Sequence, residues 1–121
     1  MYSRKYSLKT RYNFRKTLSF GQTYKSFSLI IKYSKSDTLK FGIITSNRFS
    51  KRAVDQNRVR RLISEAIRIN IGKFPQNFTF IFIPKKTILE DVKLGDNVKN
   101  NGLSKKIFAE IDTFLSKMVF D

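Results

Sequence analysis

Apolar residues recur along this chain in two rhythms, and the switches between them predict its elements. The first rhythm is helical: Tyr12 to Phe20 (YNFRKTLSF) sets Phe14 and Leu18 four residues apart with Arg15 and Lys16 on other sides, and Gly21 supplies a stop. Two β-rich runs follow, Lys25 to Ser34 around FSLIIKY and Leu39 to Thr45 (LKFGIIT), parted by the polar turn KSDT; together they predict an antiparallel hairpin. Alternation puts Phe27, Leu29, Ile31 and Tyr33 on one face of the first run and Ser28, Ile30 and Lys32 on the other.

From Ser46 to Asn70 a loop runs into a second amphipathic helix, opened near Ser50 or Asp55, both capable N-caps. At about 100° per residue, Val59, Leu62, Ile63, Ala66, Ile67 and Ile69 share one arc, while Asn57, Arg60, Arg61, Ser64, Glu65 and Arg68 fall mostly on the other. Gly72 and Pro75 mark the exit. Asn77 to Ile83 (NFTFIFI), closed by Pro84, is a strand apolar enough to be central. Lys85 to Gly102 reads as an irregular polar excursion, and Leu103, Ile107, Phe108, Ile111, Phe114, Leu115 and Met118 form a closing helix. Residues 1–10 read as a flexible basic arm. The order αββαβα predicts a single α+β domain with helices packed on a mixed sheet of four or fewer strands, and 121 residues suit one modest core.

Charge changes the picture more than any other feature. The net charge is +16, and residues 1–61 carry 16 of the 25 bases but only 2 of the 9 acids. So one-sided a field suits a large polyanion better than a small acidic substrate. Its densest stretch is Arg48, Lys51, Arg52, Arg58, Arg60 and Arg61, six bases beside the single acid Asp55, so repulsion along the helix is not relieved by internal pairing. Guanidinium groups dominate, and each can grip a phosphate with two parallel hydrogen bonds. The chain has no cysteine and no histidine, which removes disulfides, thiolate sites, the commonest metal ligand and the commonest general base. No run of about 18 apolar residues occurs and no apolar segment follows the basic start, so a soluble cytoplasmic protein is expected.

Ala53, Val54, Gln56, Asn57, Arg58, Val59, Arg60, Arg61, Leu62, Glu65, Ala66 and Arg68 resemble the signature helix of the bacterial ribonuclease P protein component, an Arg-Asn-Arg triplet followed by a basic pair. Gln56 stands where the first arginine is expected, Ser64 where a basic residue is common, and Ser50 near where a glycine often lies. The resemblance implies a left-handed crossover between the second and third predicted strands, as in the ribonuclease P protein and ribosomal protein S5 domain 2-like fold, although general handedness rules favour the opposite. It also implies a protein that breaks no bond itself: the RNA subunit removes the 5′ leader of precursor tRNA with Mg2+, bound mainly by the RNA, and the protein supports that cleavage in the ribonucleoprotein. Its implied partners are ribonuclease P RNA and precursor tRNA, with no membrane and no small-molecule substrate.

Under that resemblance Arg48, Lys51, Arg52, Asn57, Arg58, Arg61 and Arg68 are expected to contact the catalytic RNA, with an internal hydrogen bond as the competing role for Asn57 and the helix C-terminus for Arg68. The family also implies a leader-binding cleft between the first helix and the sheet. Phe14 occupies an aromatic position there; Leu18 sits where a second aromatic is usual and cannot stack on a base, so leader affinity is either weaker or carried by Lys32, Tyr33 and Arg60, and the competing role for Phe14 and Leu18 is a helix face buried against the sheet. Two strand faces compete for that cleft: ungapped alignment from Gly21 favours Ser28, Ile30 and Lys32, and one inserted residue reverses it. Three other readings compete. A nuclease in its own right would need the acidic cluster Glu90, Asp91 and Asp96 as a metal site. A ribosomal-protein-like RNA-binding module with no role in cleavage would share the charge and the mixed fold, and a membrane-surface protein would need exposed apolar residues that the core requires here.

Overall fold

The computed structural model describes residues 6–8, 11–26, 28–45, 53–85 and 101–117. Its sheet is organised by β4 (Phe78–Pro84), in which the even-numbered rings and the odd-numbered Thr79 and Ile81 are all buried, so the strand needs cover on both faces. The position that supplies this is central. β2 (Leu29–Lys35) pairs with β4 antiparallel on one side, β3 (Lys40–Ile43) pairs with it in parallel on the other, and β1 (Gln22–Lys25) joins β2 antiparallel, giving the order β1-β2-β4-β3.

This corrects the expected hairpin, because β2 and β3 do not pair. The chain leaves β3, runs through α2 (Ala53–Ile69) and a 3-10 turn (Ile71–Lys73), and returns to insert β4 between them. The hairpin partner of β2 is β1, a polar QTYK segment whose Tyr24 packs against the core, tilted against Phe114 with ring centroids 5.0 Å apart. Residues 6–8, expected within the loose arm, instead lie along the outer edge of β3: Ser7 bridges Phe41, the Leu8 N–H donates to the Phe41 carbonyl at 2.8 Å, and Leu8 is buried. Residues 86–100, most of the polar excursion, lie outside the described residues.

One sheet face, carrying Leu29, Ile31, Tyr33, Phe41, Phe80 and Phe82, packs against α2 and α3 (Asn101–Lys117) to form the core. From α2 it receives Val59, Ile63, Ala66 and Ile67, all fully buried as their spacing predicts. Two positions depart from that expectation. Ile69 lies off the inward arc and is 56% exposed, whereas Ser64 is buried, on a helix that also packs against α3. The helix ends at Asn70, whose side-chain amide and backbone N–H both donate to the Ala66 carbonyl, at 2.9 and 3.2 Å. Helix α2 begins at Ala53, so Asp55 falls inside the first turn instead of at the cap, and Ser50 lies outside the described residues.

The opposite face is crossed by α1 (Arg11–Phe20). Gly21 ends this helix for a reason other than the left-handed turn expected of a glycine stop, since no described residue has a positive φ. A Cβ on Gly21 would lie 2.4 Å from the Thr17 carbonyl oxygen and 2.8 Å from that of Tyr33, both backbone atoms. Gly21→Ala is therefore expected to cost about 2 kcal/mol, as overpacking typically does, and a urea unfolding titration measures it.

Candidate nucleic-acid interface

With Val59, Ile63 and Ala66 directed inward, Val54, Asn57, Arg58 and Arg61 share the outward side of α2 at spacings of three and four residues, and half-buried Leu62, packed against the core, lies at its edge. These five line one shallow depression of ≈ 430 Å³. Asn57 and Arg61 are exposed and Arg58 is half-buried. The Asn57 side chain makes no hydrogen bond among the described residues, so the capping role that competed for it is not seen there.

Two other basic residues of α2 stand apart from this group. Arg60 reaches away from the depression and donates from Nη2 to the Thr45 hydroxyl at 2.6 Å, just beyond the end of β3. Arg68 is paired within the helix: Nη2 bonds Glu65 Oε1 and Nε donates to Oε2 at 3.2 Å. That hydrogen bond draws the Glu65 carboxyl below its ordinary pKa, and Arg68 is raised in return. Both groups face solvent, where such a pair contributes little stability. Arg48, Lys51 and Arg52 lie outside the described residues.

The cleft expected between α1 and the sheet would use the face of β2 that meets α1. Thr17 Oγ1 lies 3.3 Å from Ser34 Oγ, and the Lys32 ammonium donates to the Leu18 carbonyl at 3.2 Å, placing Lys32 on the α1 face and at that helix's negative end. Tyr33 is thereby removed from the cleft. It points into the core, buried, against Phe80 and Phe114 with centroids 6.2 and 5.6 Å away, and its hydroxyl donates to Gln22 Oε1 at 2.9 Å. The period of two allows no other outcome once Lys32 faces α1. Leu18 and Phe14 are both half-buried on α1.

Gly42 escaped notice in the sequence and positions Phe14. A Cβ there would lie 2.5 Å from Phe14 Cε1 and 2.7 Å from Cζ, so the ring occupies the space a side chain would take. The available signal was a glycine inside an apolar strand, which often marks close approach of another group.

Among the described residues no group of three acidic side chains could hold a metal ion. Glu65 is engaged by Arg68; Glu110 Oε1 accepts from the Ser26 hydroxyl at 2.5 Å and the Ser28 N–H at 2.6 Å; Asp112 lies 3.5 Å from the Lys73 ammonium. Glu90, Asp91 and Asp96 lie outside the described residues. No described helix is long and apolar enough to cross a membrane.

These features define a class: a basic α+β domain in which the helix joining two neighbouring parallel strands buries its apolar side and turns arginine and asparagine outward. The Ribonuclease P family model matches residues 2–107. The ribonuclease P protein component of Fusobacterium nucleatum is 34% identical over 99 residues, covering 78% of this chain and 88% of the relative, and that of Clostridioides difficile is 37% identical over 87 residues, covering 69% and 75%. The chain belongs to the ribonuclease P protein component family. Its fold is similar to that of the RNase P protein from Thermotoga maritima, solved in complex with 1-(4-fluorophenyl)-2-thiourea, at TM-score 0.76, 21% identity and coverage of 93% of this chain and 99% of the other. The Staphylococcus aureus RNase P protein shares it at TM-score 0.71, 16% identity and coverage of 92% and 93%.

Proposed function

We propose that this chain is the non-catalytic protein subunit of a cytoplasmic ribonuclease P, binding the catalytic RNA and the 5′ leader of precursor tRNA while the RNA cleaves the phosphodiester. The observation that carries the reading is the outward grouping of Asn57, Arg58 and Arg61 on a helix whose other side is committed to the core. On that surface guanidinium groups clamp phosphates, and the Asn57 amide both donates and accepts. Arg68 joins them by exchanging Glu65 for a phosphate, and Arg48, Lys51 and Arg52 extend the charge. Mg2+ is assigned to the RNA, since among the described residues no three acidic side chains cluster.

The leader is assigned to the groove between α1 and the Lys32 face of the sheet. Phe14 offers a ring for an unpaired base, Leu18 an apolar wall, and Lys32 and Arg60 positive charge. Gly42→Ala is expected to push the Phe14 ring aside and to lower the preference for long-leader over leaderless precursor roughly tenfold, as loss of a stacked base does, while affinity for the RNA subunit is unchanged. Equilibrium binding of the two precursors to the reconstituted particle measures this.

The reading as a whole is tested by cleavage of precursor tRNA at low magnesium by a bacterial ribonuclease P RNA, with and without the protein, and by the protein alone. Cleavage that requires the combination is the expected result. Turnover by the protein alone, or RNA binding without any gain in cleavage, overturns the reading.

A further inference from the structure

Helix α1 crosses its face of the sheet obliquely, with Phe14 over Gly42 of β3 and Thr17 and Leu18 at Ser34 and Lys32 of β2. It therefore separates two recesses. Phe14 and Leu18 flank one, the leader groove; Lys16 and Phe20, four residues apart, share the other flank. On this second side lies a depression of ≈ 330 Å³. Its floor is the row Ser34, Thr79 and Lys40, in register across three neighbouring strands, and its rim carries Lys16, Lys35 and Asp37.

Lys16 of α1 and Lys35 of β2 thus meet at the rim of one recess, and the wall between them is hydroxyl-bearing. Thr79 Oγ1 donates to Ser36 Oγ at 3.0 Å, and Ser36 Oγ donates to the Thr38 carbonyl at 2.6 Å, which fixes the loop. The Thr17 and Ser34 hydroxyls, 3.3 Å apart, use one of their two hydrogens on each other and leave the second for an outside acceptor. One helical turn beyond Lys16 on that flank of α1 is Phe20, 85% exposed, the most exposed large apolar side chain among the described residues. The close approach of Gly21 to the Tyr33 carbonyl holds Phe20 next to the end of β2, where Ser34 and Lys35 follow.

Ammonium groups and a free hydroxyl suit a phosphodiester, and an adjacent bare ring suits an unpaired base. We propose that this recess is a second single-stranded RNA subsite, in which Lys16 and Lys35 hold phosphate and Phe20 stacks a base. The proposal rests on the chain binding RNA and is independent of the assignment of the leader groove.

The full chain is titrated with a fluorescent oligouridylate at several salt concentrations. K16Q/K35Q is expected to weaken binding about fivefold and to reduce the log–log salt slope by about 1.4, the value for two single-strand phosphates. F20A is expected to weaken it roughly tenfold with the slope unchanged. The charge-matched pair K105Q/K117Q, two exposed lysines of α3, leaves affinity and slope as they were. Equal loss in that control reduces the effect to net charge and overturns the proposal, as does unaltered binding by K16Q/K35Q and F20A; circular dichroism melts confirm that each variant is folded. Because the readout is direct binding, failure of the protein to support cleavage leaves this result standing, and the converse also holds.

Discussion

Replacing Arg58 and Arg61 together with alanine is expected to weaken binding of ribonuclease P RNA roughly a hundredfold. Each guanidinium on the outward side of α2 makes charge-assisted contacts worth about 1.5–3 kcal/mol, and losing both costs about 3 kcal/mol even where the contacts are partly shared. The salt dependence should flatten with the loss: removing two phosphate contacts lowers the log–log slope by about 1.8 on duplex RNA-like charge density. Neither residue belongs to the buried core, so the melting temperature should stay close to that of the parent. The double lysine variant separates charge from shape. It keeps both positive charges and loses the planar fork, so it should recover the salt slope and only part of the affinity. Filter binding across a salt series checks all three outcomes, and an unaltered affinity in a folded double-alanine variant would return these arginines to the solvated surface.

Phe80→Ala has the largest expected effect on stability, about 3–5 kcal/mol. The side chain is fully buried at the middle of β4 and stands at the centre of the ring cluster: Phe41 and Phe78 lie parallel to it at 5.9 and 6.0 Å, while Phe74 and Phe114 meet it edge-on at 5.1 and 6.0 Å. Those four rings come from β3, β4, the turn after α2, and α3, so the cavity opens where four segments meet and no one of them can close it alone. Domains of this size are stable by about 5–15 kcal/mol, and a chain of charge +16 also carries self-repulsion that folding concentrates. The variant is expected to unfold at much lower urea than the parent, with RNA or added salt restoring part of the midpoint by neutralising charge. A midpoint shifted by less than the equivalent of about 1 kcal/mol would mean that the core repacks around the gap.

The two predictions differ in how far the sequence alone leads to them. The outward arginines of α2 follow from helical spacing, because a single helix fixes its own faces: once Val59, Ile63 and Ala66 are inward, Asn57, Arg58 and Arg61 must be outward. Helix α1, the central place of β4 and the closing helix were legible for the same local reason. The partner of each strand was not. Both β2 and β3 read as strands, but which strand hydrogen-bonds to which is a contest among non-local pairings, and β4 won the middle because it alone needed burial on both faces. Polar β1 carried too weak a pattern to be noticed, and its pairing with β2 is what fills the edge.

The site divides along the same line. Sequence by itself determined the basic field, the apolar stripe and the outward side of α2, since charge is additive and helical periodicity is local. Tertiary structure decided that Lys32 faces α1 while Tyr33 enters the core, that Gly42 makes room for Phe14, and that Arg60 and Arg68 turn to Thr45 and Glu65. Each of these depends on which surface is laid against a strand whose two faces differ by one residue of register, and only the packed molecule fixes that.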